Sequence, residues 1–87
     1  MKIIKISAVW CPGCIIMQKK WKKIAESNPE IEFEELDFDM DEELVSKFNV
    51  GDTLPVAILF KDGIEVSRLI GEKNEEAILK FIGDNNV

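Results

Sequence analysis

The chain has two cysteines, Cys11 and Cys14, and both lie in one stretch, Trp10-Cys11-Pro12-Gly13-Cys14. No other side chain in the sequence is a nucleophile of comparable strength. Thiols separated by two residues can close a small disulfide ring if the backbone between them turns into a helix. Pro12 suits that turn, because its fixed φ and missing N–H fit the first helical position. Cys11 would then sit at a helix start, where unpaired N–H groups and the positive end of the dipole favour a thiolate. In a reducing compartment such a pair is more often catalytic or metal-binding than a structural bridge. A closed zinc site wants four Cys or His ligands. With two Cys and no His, this chain would need a second copy or two carboxylates to complete one.

The elements that must position this motif are those of one small domain spanning residues 1–87. A chain of 87 residues buries only about 60 to 65% of its unfolded surface, enough for a single core. The net charge of -6 and pI near 4.6 make nucleic acid and anionic membrane surfaces poor partners. The early apolar run Ile3, Ile4, Ile6 is broken by Lys5 and leads straight into the motif, with no signal-peptide core or cleavage site. No segment reaches transmembrane length. The expectation is a cytoplasmic protein.

Lys2 to Ser7 reads as an interior strand and ends at the motif. From Pro12 to about Ser27, Cys14, Met17, Trp21, Ile24 and Ala25 recur at helical spacing, and Asn28-Pro29 stops the helix. Ile31, Phe33, Leu36 and Phe38 mark a second strand. Asp39 with Glu42 reads as a capping box opening a short helix to about Phe48. Asn49 to Thr53 is a loop, and Pro55 opens a buried strand from Val56 to Phe60. Lys61-Asp62-Gly63 supplies a tight hairpin into Ile64 to Ile70. Asn74 caps a last helix presenting Ala77, Ile78, Phe81 and Ile82, with Gly83 past its end. A right-handed crossover makes the first two strands parallel, and the hairpin adds antiparallel ones. The class is α/β, one four-stranded mixed sheet with helices on both faces.

Three separated features carry a family resemblance: Trp10-Cys11-Pro12-Gly13-Cys14 after the first strand, Thr53-Leu54-Pro55 before the third, and Phe60-Lys61-Asp62-Gly63 leading to Gly71. Together they resemble the thioredoxin superfamily over nearly the whole chain, in the short form without the usual N-terminal strand and helix. The resemblance implies strand order 2-1-3-4 and a cis Leu54–Pro55 bond. It also implies a partner-binding rim of Trp10, Thr53, Leu54, Pro55 and the Gly71 backbone. The implied activity is thiol–disulfide exchange on protein disulfides. Cys11 attacks, and Cys14 resolves the mixed disulfide, shielded by Ile15 and Trp10, without metal or organic cofactor. The implied partners are protein disulfides and a thioredoxin-reductase-like donor, and the expected state is a monomer.

Three departures qualify the resemblance. Pro12-Gly13 reverses the order usual in thioredoxins and is closer to glutaredoxins, so a glutathione-dependent enzyme is the alternative. Yet Glu72-Lys73-Asn74 after Gly71 lacks the Gly-Gly and acidic pair by which glutaredoxins usually hold glutathione. Six residues before Cys11, where thioredoxins usually carry a buried Asp, stands Lys5. Glu35 shares its strand face with Ile31 and Phe33, and alignment to the family sets it opposite Lys5. A charge-swapped Lys5–Glu35 pair beneath the active site is expected. Other charged runs read as solvated surface. Lys19, Lys20, Lys22 and Lys23 form a helix face. Asp37-x-Asp39-x-Asp41 fails as a calcium loop, with Glu42 in place of Gly at the sixth position.

Overall fold

A computed structural model describes residues 1–51 and 53–85. The elements run β1 (Lys2–Ser7), α1 (Pro12–Ser27), β2 (Glu32–Asp37), α2 (Glu42–Ser46), β3 (Val56–Lys61), β4 (Ile64–Ile70) and α3 (Glu75–Asn85). The four strands form one sheet in the order β2-β1-β3-β4. β1 is parallel to β2 and antiparallel to β3, and β4 is antiparallel to β3.

The apolar runs of β1, interrupted by Lys5, and of β3 follow from their central place, with both faces covered. On one face Ile3, Ala57 and Leu59 pack with Met17, Trp21 and Ile24 of α1 and with Ile78, Phe81 and Ile82 of α3. On the other, Ile4, Ile6, Leu36, Val56 and Ile58 meet Val45 of α2, with Phe48, Val50, Leu54 and Phe60 around them. Trp21 is core, its ring edge-on to Phe33 at 6.0 Å. The β3–β4 turn has Asp62 and Gly63 at φ 55° and 79°, the positive pair that a two-residue hairpin requires. At α3, Asn74 Oδ1 accepts from the Ala77 N–H at 2.8 Å.

Three local expectations need correction. Asp39 and Glu42 form no capping box. The residue before α2 is Asp41, and its side chain makes no cap hydrogen bond. Asp41 Oδ2 instead accepts from Asp37 N at 2.8 Å. Helix α2 also stops at Ser46 rather than Phe48, because Lys47 and Phe48 donate to the carbonyls three residues back, a tightened turn that ends regular helix. Gly83 lies inside α3, which runs to Asn85; glycine lowers helix propensity without ending a helix that tertiary packing holds. Of the expected Asn49–Thr53 loop, Asp52 lies outside the described residues.

This topology gathers one end of the sheet. The C-terminal ends of β1, β2 and β4 and the N-terminal end of β3 lie together, so the residues after β1, before β3 and after β4 meet there. Gly71 N donates to Pro55 O at 2.8 Å across that end.

Leu59 is fully buried between the layers, so Leu59→Ala is expected to lower the unfolding free energy by about 2–5 kcal/mol. Asn74→Ala, which removes only a cap, should cost about 1 kcal/mol. Urea titration of both variants checks the order.

Candidate active site

Cys11 is the N-cap of α1, with φ -96° and ψ 109°, and Pro12 follows in the first turn. The Cys14 N–H points at Cys11 Sγ at 3.2 Å. A proline at the first helical position sacrifices no hydrogen bond, and the helix start presents its free N–H groups to the sulfur. Both cysteines are thiols, buried, and packed with Ala8 against Phe38 and Leu54. The expected shielding by Ile15 and Trp10 is not found: they are 54% and 59% exposed. Ile15 follows Cys14 directly and so lies on a different side of the helix, leaving the cover to β1, β2 and the proline loop.

The two sulfurs are unequal. The Cys14 thiol is pushed up to about 11, by burial first and then by its hydrogen bond to Cys11; a backbone hydrogen bond from Ala8 opposes this, and the charges on Cys11 and Glu35 add to it. Cys14 therefore keeps its proton at neutral pH until something takes it.

Lys5 and Glu35 are Cα partners across the parallel β1–β2 ladder, but the expected ion pair is absent. Lys5 Nζ sits 5.7 Å from the centre of the Phe33 ring, and Glu35 Oε1 accepts from Ser7 Oγ at 3.1 Å. An exposed carboxylate gains little from a lone surface pair, while the ammonium finds an aromatic face on the same side of the sheet. Glu35 nonetheless reaches the motif. Together with Cys14, Ser7, Gln18 and Asp37 it lines a cavity of about 300 Å³.

Trp10 Nε1 donates to Asp39 Oδ2 at 2.7 Å, and its ring meets Phe38 edge-on at 6.3 Å. The sequence context of Asp39 reads as a helix cap and does not mark it as a site residue. Asp37 Oδ1 accepts from the N–H groups of both Asp39 and Met40 at 2.9 Å, ordering the turn that brings Asp39 to Trp10. Its one sequence signal is its place just past β2, the end where a parallel strand meets the motif.

The Leu54–Pro55 peptide bond is cis, and Gly71 has φ 85°, a conformation that side-chain-bearing residues seldom take. A Cβ placed on Gly71 would stand 3.9 Å from Thr53 Cγ2. Thr53, Leu54, Pro55 and Gly71 thus share one rim beside the cysteines, as Trp10 does on the β2 side. Among the described residues no group of three or more His, Cys, Asp or Glu could hold a metal ion.

A family model described as Thioredoxin matches residues 1–84. A thioredoxin of Chlamydia muridarum is 31% identical over 80 residues, covering 92% of this chain and 78% of the relative. The Fasciola hepatica thioredoxin structure superposes with TM-score 0.88 at 32% identity, over 95% of this chain and 78% of that one. A further similar structure, with TM-score 0.87 and 29% identity over 95% of this chain and 76% of that one, comes from work on how a yeast mitochondrial 1-Cys peroxiredoxin is resolved via glutathione/thioredoxin systems.

With its thiol near 11, Cys14 is about one part in a thousand thiolate at pH 8. Brief iodoacetamide treatment of the reduced protein at pH 8 should modify Cys11 and spare Cys14. Peptide mass mapping should then show Cys14 labelling rising about tenfold per pH unit toward 11. Equal labelling of the two would contradict the inequality.

Proposed function

The chain belongs to the thioredoxin family and is a thiol–disulfide oxidoreductase, and from that premise we propose that it reduces disulfides of other proteins, with Cys11 attacking and Cys14 resolving. The observation that carries this reading is the unequal pair. One sulfur caps a helix with a backbone N–H aimed at it, and the other is held protonated by burial.

In the first step Cys11 thiolate attacks one sulfur of the partner disulfide, forming a Cys11–partner bond and releasing the other partner sulfur as a thiolate, which takes a proton. In the second, Cys14 gives up its proton and attacks Cys11 Sγ. The Cys11–Cys14 disulfide forms, the second partner thiolate leaves, and two electrons have passed to the partner. No metal or organic cofactor enters this balance. Pro12 and Gly13 hold the two sulfurs within one turn, while Trp10, Thr53, Leu54, Pro55 and Gly71 receive the partner backbone.

The second step needs a proton acceptor. Of the carboxylates lining the cavity beside Cys14, Asp37 is engaged by two backbone N–H groups, whereas among the described residues Glu35 accepts from Ser7 Oγ alone. Glu35 takes the proton through water in that cavity.

A thioredoxin-reductase-like donor returns the electrons, and the protein works as a monomer in the reducing cytoplasm, where such a thiol pair stays available. No described helix is long and apolar enough to cross a membrane. The Cys-Pro-x-Cys order favours a second reading, reduction by glutathione. Assays with each donor in turn separate the two.

Cys11→Ser should abolish reduction of a protein disulfide such as insulin, and Cys14→Ser should accumulate the mixed disulfide. Retained turnover in Cys11→Ser would end the proposal. Glu35→Gln is expected to move the Cys14 titration down, since a neighbouring anion is lost, yet to slow the resolving step at pH 7. Were Glu35 only an electrostatic neighbour, the same variant would resolve faster, and stopped-flow kinetics of mixed-disulfide decay distinguish these.

A further inference from the structure

The segment after β4 is anchored on both sides of one residue. Gly71 N donates to Pro55 O at 2.8 Å. Lys73 N points at the Met17 sulfur at 3.3 Å, and Lys20 Nζ donates to the Lys73 carbonyl at 2.9 Å. Between these anchors stands Glu72. A Cβ built on Gly13 would lie 3.5 Å from Glu72 Oε2 and 3.8 Å from both Glu72 Cβ and Pro55 Cδ. A carboxylate is therefore held against the middle of the Cys-Pro-Gly-Cys turn and beside the proline loop, by backbone contacts of its neighbours to α1 and Pro55 rather than by its own side chain.

Among the described residues Glu72 makes no ion pair. No residue in the first turn of α1 is acidic, so the fold itself brings Glu72 to that helix end. Asp39, on the opposite side of the motif, already accepts the Trp10 N–H. The Lys20 ammonium donates to the Lys73 carbonyl and, like Lys73, leaves a positive charge beside the same segment. Glu72 itself is exposed, open to whatever chain lies across Gly71 and Pro55.

We propose that Glu72 is a specificity-determining residue, selecting disulfides flanked by Lys or Arg and disfavouring anionic ones, glutathione disulfide included. This rests on the reading that Cys11 attacks a partner disulfide. A partner seated for attack must pass the rim where Glu72 stands. A cation beside its cysteine gains attraction there, and an anion meets repulsion at the same spot.

The test uses three peptide disulfides identical except for Arg, Ala or Glu beside the cysteine. Each is reduced in single turnover by the pre-reduced full-length protein, so that no donor enters. The wild type should reduce the Arg peptide about fivefold faster than the Glu peptide at low ionic strength. That ratio should fall toward one in Glu72→Gln, invert in Glu72→Lys and shrink in about 0.5 M salt. Taking the ratio within each protein removes any effect of a variant on its active fraction. Glu26→Gln removes the same charge thirteen residues further along α1, about 20 Å away by helical rise, and should keep the wild-type ratio. A wild-type ratio near one, a ratio that survives Glu72→Gln, or an equal loss in Glu26→Gln overturns the role of Glu72 while reduction of the Ala peptide leaves the exchange chemistry standing. Failure to reduce any of the three overturns both.

Discussion

The contact on which the structure depends is the Cys14 N–H directed at Cys11 Sγ at 3.2 Å. It exists only because Cys11 stops short of helical geometry while Cys14, three residues later, lies inside α1. A helix start leaves several backbone N–H groups unclaimed, so a sulfur that must carry charge during exchange is well placed there. Holding it so requires α1 to be fixed in rotation and height. Met17, Trp21 and Ile24 do this by burying one helical stripe against Ile3, Ala57 and Leu59. The packing of one core face thereby becomes the geometry of the site.

Around that contact the surroundings are acidic in a graded way. Glu35 faces Cys14 from β2, Asp39 takes the Trp10 N–H, and Glu72 leans over Gly13. Each comes from a different part of the chain, and in the proposed reaction each serves a different stage: proton removal, orientation of the exposed indole, and the charge of the approaching partner. Burial does the largest part in raising the Cys14 thiol, since desolvation heads its causes. Of the three carboxylates, Glu35 adds to the shift that burial creates.

The Lys5–Glu35 position shows how far register alone can carry an argument. Strand alternation and a family alignment set the two residues opposite each other, and they are Cα partners. Side-chain direction then sent Lys5 to the Phe33 ring and Glu35 to Ser7. Neighbouring Cα atoms leave long side chains several rotamers, and an exposed pair holds too little energy to choose one of them against an aromatic face or a hydroxyl. Asp39 is the converse case. Its local context suits a helix cap, but the turn held by Asp37 offers it an indole N–H from another element. A tertiary partner outweighed the local one.

By itself the sequence determined the chemistry and the frame. Two cysteines with Pro12 between them, apolar positions at helical spacing, two buried β-branched runs and an Asp-Gly turn are local signals, and each acts within a few residues of itself. They were enough for the element order, the mixed sheet and the identity of the reactive pair. Only the tertiary structure decided what covers Cys14, where the charges of Lys5 and Glu35 go, that Asp39 serves Trp10, and that Glu72 stands over Gly13. Those four depend on how β1, β2 and the segment after β4 converge at one end of the sheet. Residues up to about sixty positions apart in the chain meet there, at distances that no local pattern encodes.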